Sequence, residues 1–261
     1  MPARGEQGEP IVAKSVAVLS DVHGNATALA AVLAEVDREQ PDVVVFGGDL
    51  TWGPEPGRTL ALVESIERQT LFVRGNAERA LLACAERVDA GDVEGLTPRE
   101  AWLPTRHSPA ARAFLASFAE QVVVEVSGLG PVRFCHGSPR SDEELVTPET
   151  PERRVRALMG RVPEQVLVTA HTHLQFDRTV AGIRSINAGS VGMPYAERPG
   201  AYWALLGPDV DLRRTDYDLA EAARRYGSTD DPLREEMVAL LLSPPLPNEV
   251  IEHAESLEFS G

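Results

Sequence analysis

One pattern limits what this chain can become: short apolar runs that each break off at an acid, an amide or a histidine. Val16-Ala17-Val18-Leu19 stops at Ser20-Asp21-Val22-His23-Gly24-Asn25, and Val43-Val44-Val45-Phe46 stops at Gly47-Gly48-Asp49. Leu71-Phe72-Val73 stops at Arg74-Gly75-Asn76, and Val166-Leu167-Val168-Thr169-Ala170 delivers His171-Thr172-His173. β-Branched runs this short, bounded by turn residues, read as buried strands. Between the first two, Leu29, Val32, Leu33 and Val36 recur at helical spacing, so the reading is βα units and an α/β fold. In open α/β sheets ligands bind beyond the carboxyl ends of the strands, which is where these polar residues fall.

Further along, Val122–Val126 and Pro131–Cys135 read as a strand pair that runs into His136-Gly137-Ser138-Pro139. Side chains alternate along an extended backbone, so Asp21 and His23 project one way, as do His171 and His173. Residues 1–13 are expected as a disordered tail and 14–215 as one domain, with 80–120 an insertion that shapes the pocket. Residues 216–261 are expected as a helical extension packed on that domain, with two amphipathic helices and a frayed acidic end.

Asp and Glu number 40 against 25 Lys and Arg, a net charge of −15 that argues against a long nucleic-acid partner. Two cysteines, Cys84 and Cys135, are too few for a disulfide framework and suit a reducing compartment. With no export signal and no apolar run long enough to span a bilayer, the expectation is a cytoplasmic protein without a membrane partner.

Collected in order, Asp21, His23, Asp49, Asn76, His136, His171 and His173 supply two carboxylates, one amide oxygen and four imidazoles. That inventory suits two divalent ions sharing a carboxylate, with Asp49 the natural bridge, and a solvent-derived hydroxide between them to attack phosphorus. Mixed N/O donors without thiolate admit manganese, iron, nickel or zinc.

In these blocks the chain resembles the calcineurin-like metallophosphoesterase superfamily. Asp21-Val22-His23 is similar to its D-x-H block, Gly48-Asp49 to G-D, Gly75-Asn76-Ala77-Glu78 to G-N-H-[DE], His136-Gly137 to the later lone histidine, and His171-Thr172-His173 to G-H-T-H. Asn187-Ala188-Gly189-Ser190-Val191-Gly192 is similar to the N-P-G-S-V-G segment of its small bacterial phosphodiesterase branch. The resemblance implies a four-layer sandwich of two mixed sheets flanked by helices. It also implies one metal held by Asp21, His23, Asp49 and His173, and a second by Asp49, Asn76, His136 and His171. Manganese is the expected metal, and a small phosphorylated molecule the expected substrate.

Two positions depart from the pattern. Ala170 replaces a glycine, a change of one methyl. Ala77 replaces the histidine that protonates the leaving oxygen or steadies the transition state, a role worth about 10²–10⁴-fold. No catalytic side chain is therefore expected beyond the bridging hydroxide, and good leaving groups are favoured: activated diesters, cyclic nucleotides or phosphoanhydrides. The alternative is a scaffold that keeps the fold without useful catalysis, as the family's retromer subunit does. Asn25 is expected either to cap the first helix or to touch a phosphate. Arg74 and Arg140 are candidates to grip phosphate, Glu78 reads as a first-turn acid answering the helix dipole, and His107 as a solvated loop residue or a substitute acid.

Overall fold

A computed structural model describes residues 10–160 and 162–257. β1 (Ile11–Ala13) and β2 (Val16–Leu19) lead into α1 (Ala26–Glu39), β3 (Val43–Phe46), α2 (Pro56–Glu64) and β4 (Gln69–Phe72). The insertion holds α3 (Asn76–Asp89), α4 (Pro98–Trp102), a 3-10 turn at Leu103–Arg106, and α5 (Pro109–Ala116). Then come β5 (Gln121–Val126), β6 (Gly130–Cys135), α6 (Glu152–Met159), β7 (Val166–Thr169), β8 (Gln175–Val180), β9 (Ile183–Ala188), β10 (Ala201–Leu206) and β11 (Val210–Thr215). Three helices follow: α7 (Leu219–Gly227), α8 (Arg234–Leu242) and α9 (Pro247–Ser256).

The strands form two mixed sheets, one ordered β11-β10-β2-β3-β4 and the other β1-β5-β6-β7-β9-β8. In the first, β2, β3 and β4 run parallel, with Val18 beside Val45 and Val45 beside Leu71. In the second, β6, β7 and β9 run parallel. The apolar runs are unbroken because both faces of each strand are covered. Val16, Val18, Val43 and Val45 point between the sheets and meet Val124, Val132, Phe134 and Val168. Ala17, Leu19, Val44 and Phe46 point the other way, onto Leu29, Val32 and Val36 of α1 and Leu60 and Val63 of α2. Val155 and Met159 of α6 cover Cys135 and Leu167 on the far face of the second sheet. These layers make the four-layer α/β sandwich. Full burial of such side chains contributes about 1.5–3 kcal/mol each, enough to hold strands of four residues.

Part of the expected tail is ordered. Ile11–Ala13 pairs in parallel with β5, Ile11 beside Val124, and Ile11 and Ala13 are buried; residues 1–9 lie outside the described residues. The extension carries a third helix, α9, where a frayed acidic end was expected, and its Val250 and Ile251 pack on Leu158 and Phe176. Two buried carboxylates tie the extension back. Asp231 pairs with Arg99 of α4, with Nε 3.1 Å from Oδ1, and Arg225 of α7 donates to Glu55 at 2.7 Å. No helix among the described residues is long and apolar enough to cross a membrane.

Candidate metal centre

The strand-end residues converge where the two sheets present their carboxyl ends side by side. Asp21 and His23 follow β2, Asp49 follows β3 and Asn76 opens α3 after β4, while His136 follows β6 and His171 and His173 follow β7. They form two triads, Asp21/His23/His173 and Asp49/His136/His171, each with ligand atoms within 4.8 Å of one another. Asp49 stands between them. Its Oδ2 lies 3.6 Å from His23 Nε2 and its Oδ1 lies 3.4 Å from His136 Nε2, so one carboxylate faces both halves. Asn76 Oδ1 is 3.0 Å from His136 Nε2, which places it in the second half as expected.

The outer ring nitrogens decide what these groups need. His23 Nδ1 donates to Trp52 O at 3.2 Å, His173 Nδ1 to Met193 O at 2.7 Å and His136 Nδ1 to Gly47 O at 2.8 Å. A carbonyl only accepts, so each Nδ1 carries a proton and Nε2 is the nitrogen turned inward. His23 Nε2 and His173 Nε2 then face each other at 3.2 Å, and His173 Nε2 faces Asp21 Oδ1 at the same distance. Both Asp21 oxygens are fully buried and accept no hydrogen bond. Carboxylates and ring nitrogens converging this closely in a buried site require positive charge, and neither carboxylate pairs with an arginine or lysine among the described residues. Protons answer part of that need. Burial opposes charge on His136, yet Asp49 outweighs it and holds the ring up to about 10. His171 goes the other way, pushed down to about 4 by burial and by His136. Divalent cations answer all of it, and four imidazoles with two carboxylates fit them.

A calcineurin-like phosphoesterase superfamily domain model matches residues 15–207. The chain belongs to that superfamily. It is a metal-dependent phosphoric ester hydrolase of this family, on the family match together with the donor set above. Protein PH1004 from Pyrococcus horikoshii is similar in fold, with a TM-score of 0.74 at 19% identity over 88% of this chain and 98% of that one. A metallophosphoesterase from Sphaerobacter thermophilus gives 0.66 at 24% identity over 88% and 99%. No curated protein sequence matches significantly.

Like many functional sites, this phosphoesterase centre is built from unusual backbone. Asp21, His23, Asp49, His171 and His173 all have φ between 47° and 65°, the left-handed region that non-glycine residues seldom occupy. Such residues cost about 1–3 kcal/mol each, so neighbouring bonds must hold them in place. The loops after β2 and β3 zip together through Asp21 N to Gly48 O, His23 N to Asp49 O and Gly24 N to Leu50 O, at 2.9–3.1 Å. The Asn187–Gly192 turn supports the same loops. Ser190 Oγ donates to Asp21 O at 2.7 Å, and Asn187 Nδ2 donates to Ala170 O at 2.9 Å. Glycine is required where backbones touch: a Cβ on Gly53 would sit 1.6 Å from His23 O, and one on Gly75 would sit 2.1 Å from Asp49 Oδ1.

Glu78 does more than answer a dipole. Fully buried, it accepts backbone N–H bonds from Asp49 at 2.9 Å, Leu50 at 2.7 Å and Gly75 at 2.9 Å, clamping the bridging loop to the start of α3. Burial, then Asp49, push its carboxyl up to about 7 against those three bonds. Ala77 also contributes through its backbone, donating N–H to Asp49 Oδ1 at 2.9 Å. Asn25 is wholly buried as the α1 cap. Its Oδ1 accepts from Ala28 N, and its Nδ2 donates to Gly192 O and Tyr217 Oη, which leaves no group for a phosphate. His107 is neither solvated nor swung over the centre; it bonds Leu103 O at 3.0 Å and Thr51 Oγ1 at 3.1 Å, tying the insertion to the Asp49 loop. Cys135 is a buried thiol that burial pushes up to about 12. Arg74 and Arg140 line a cavity of about 250 Å³ that also touches His136.

Proposed function

We propose that this phosphoesterase is a two-metal phosphodiesterase acting on a small nucleotide-like or aryl phosphoester. The observation that carries the reading is Asp49, whose two oxygens face the two triads separately. Asp21, His23, Asp49 and His173 would hold one cation and Asp49, Asn76, His136 and His171 the other; manganese is the proposed metal. When bound, such a pair supplies Lewis-acid clamping of phosphate oxygens and an activated water at neutral pH. The chain's own part is positioning. Asp49 is fixed by the Ala77 N–H and the Glu78 clamp, and Arg74 and Arg140 meet the substrate's phosphate oxygens.

Residue 77 sets the substrate range. A methyl group there gives the departing oxygen no proton, so leaving groups that depart as stable anions are cleaved and simple alkyl monoesters are poor. Cytoplasmic location, with a small phosphorylated substrate and no long nucleic acid, completes the proposal, supported by the acidic charge and two buried free cysteines. The same alanine favours a second reading, a binding scaffold with intact metals and little catalysis. Manganese-loaded protein assayed for metal content, aryl phosphodiester turnover and alkyl phosphomonoester turnover separates them. Two metals per chain with faster diester cleavage supports the proposal. Tight metal with no turnover of either ester supports the scaffold, and faster monoester cleavage overturns the phosphodiesterase reading.

A further inference from the structure

Three guanidinium groups from three separate elements share one small cleft with a metal ligand. Arg74 enters after β4, Arg79 from α3 and Arg140 from the loop after β6, and His136 forms part of the same wall. The remaining lining is polar, with Ser138, Ser141, Glu120 and Asp142, and Pro139 is its apolar surface. A cleft of about 250 Å³ lined by charged and polar groups, without an aromatic or aliphatic floor, gives a base or an aryl ring no surface to stack on. It suits a compact anion.

The arginines are already organised for one. Arg79 grips Asp142 through Nε at 2.7 Å and Nη2 at 3.1 Å, and Nη2 also meets Glu143 at 2.6 Å. That fork geometry is the one guanidinium uses on phosphate. The partners differ in how firmly they are held. Glu144, which pairs with Arg140, is buried and fixed by Ser138, and Asp142, which Arg79 grips with two bonds, is mostly buried, whereas Glu143 and Glu120, which also pair with Arg79 and Arg74, are largely exposed. Exposed pairs are worth only about 0–1 kcal/mol, so an incoming phosphoryl group can displace Glu143 and Glu120, while Asp142 and Glu144 keep Arg79 and Arg140 at the cleft.

We propose that this cleft holds a second phosphoryl group of the substrate, gripped by Arg79 together with Arg74 and Arg140. The preferred substrates are then phosphoanhydrides and nucleotides bearing two phosphoryl groups rather than diesters with one. The inference rests on the phosphoesterase reading, because it takes the metal centre as the place of the first phosphoryl group. Arg79 is the residue that sequence reasoning did not single out.

The test is calorimetric titration of manganese-loaded protein with AMP and with the non-hydrolysable α,β-methylene analogue of ADP, at matched free manganese. The parent is expected to bind the diphosphate at least about tenfold more tightly, as for a charge-assisted contact. Arg79→Gln is expected to abolish that preference while the melting temperature holds. Glu143→Gln, which removes one of the two carboxylates on Arg79 and leaves Asp142 in place, is expected to raise it. A parent without the preference, or an Arg79→Gln variant that keeps it, overturns the subsite, as does a Glu143→Gln variant that weakens diphosphate binding. Because binding is read without turnover, aryl diester hydrolysis surviving alongside such a result sinks the subsite alone. A protein that keeps the preference yet hydrolyses nothing sinks the catalytic reading instead.

Discussion

Glu78→Ala removes the acceptor for three buried N–H groups, those of Asp49, Leu50 and Gly75. A buried donor left unsatisfied costs about 1–3 kcal/mol, so the variant is expected to lose about 3–6 kcal/mol once the loop relaxes toward water. That is a large share of a net stability of about 5–15 kcal/mol. Glu78→Gln separates the hydrogen bonds from the charge. Oε2 serves both Asp49 and Gly75 while Oε1 serves Leu50, so the amide oxygen can keep the first pair and its NH₂ then meets the Leu50 N–H. One bond is lost, but the buried charge goes too, and the expected cost is about 1–2 kcal/mol. Urea unfolding of the metal-free proteins, compared at equal slope, reads both values. Manganese titration should show about 10–100-fold weaker binding in the alanine variant, as loss of a residue that orients a ligand does. An alanine variant within about 0.5 kcal/mol of the parent, with unchanged manganese affinity, would refute the clamp.

Gly53→Ala drives a methyl into His23 O, so it should lose manganese binding and more than about 2 kcal/mol of stability in the same two assays. Ala77→His restores a proton donor and should raise turnover of alkyl-leaving substrates by up to about 10²-fold, with a smaller gain on aryl esters. His107 is held below its usual range by burial, which favours the neutral ring in the folded state. Its contribution is therefore intact above the unfolded value of about 6.5 and declines as pH falls below it. A His107→Gln variant should unfold with a shallower pH dependence between about pH 6.5 and 5, and an unchanged slope would count against that account.

The candidate centre was legible because each of its side chains lies just past an apolar run, and the run locates the strand end by itself. Four layers follow from β2 and β3, whose unbroken valines require cover on both faces. What lay hidden depends on partners distant in sequence. Ile11-Val12-Ala13 is too short to declare itself a strand until β5 lies alongside. His107 looks solvated until Thr51 is brought beneath it, and Glu78 resembles any first-turn acid until the Asp49 loop folds over its carboxylate. Asn25 was legible in one of its two uses, since capping needs only the helix that follows it. The last helix was masked by prolines, although Pro247 starts it and Glu249 accepts from Leu246 N at 3.0 Å.

The ties between the carboxyl-terminal helices and the body have an evolutionary corollary. Were the polypeptide cut near residue 207, where the superfamily match stops, Arg99 would lose Asp231 and Met237 together, and Glu55 would lose Arg225 while keeping its neighbour Arg58. A shorter relative has no Asp231 to hold an arginine at position 99 and no Arg225 to reach position 55, so those two residues are where such a homologue is expected to differ.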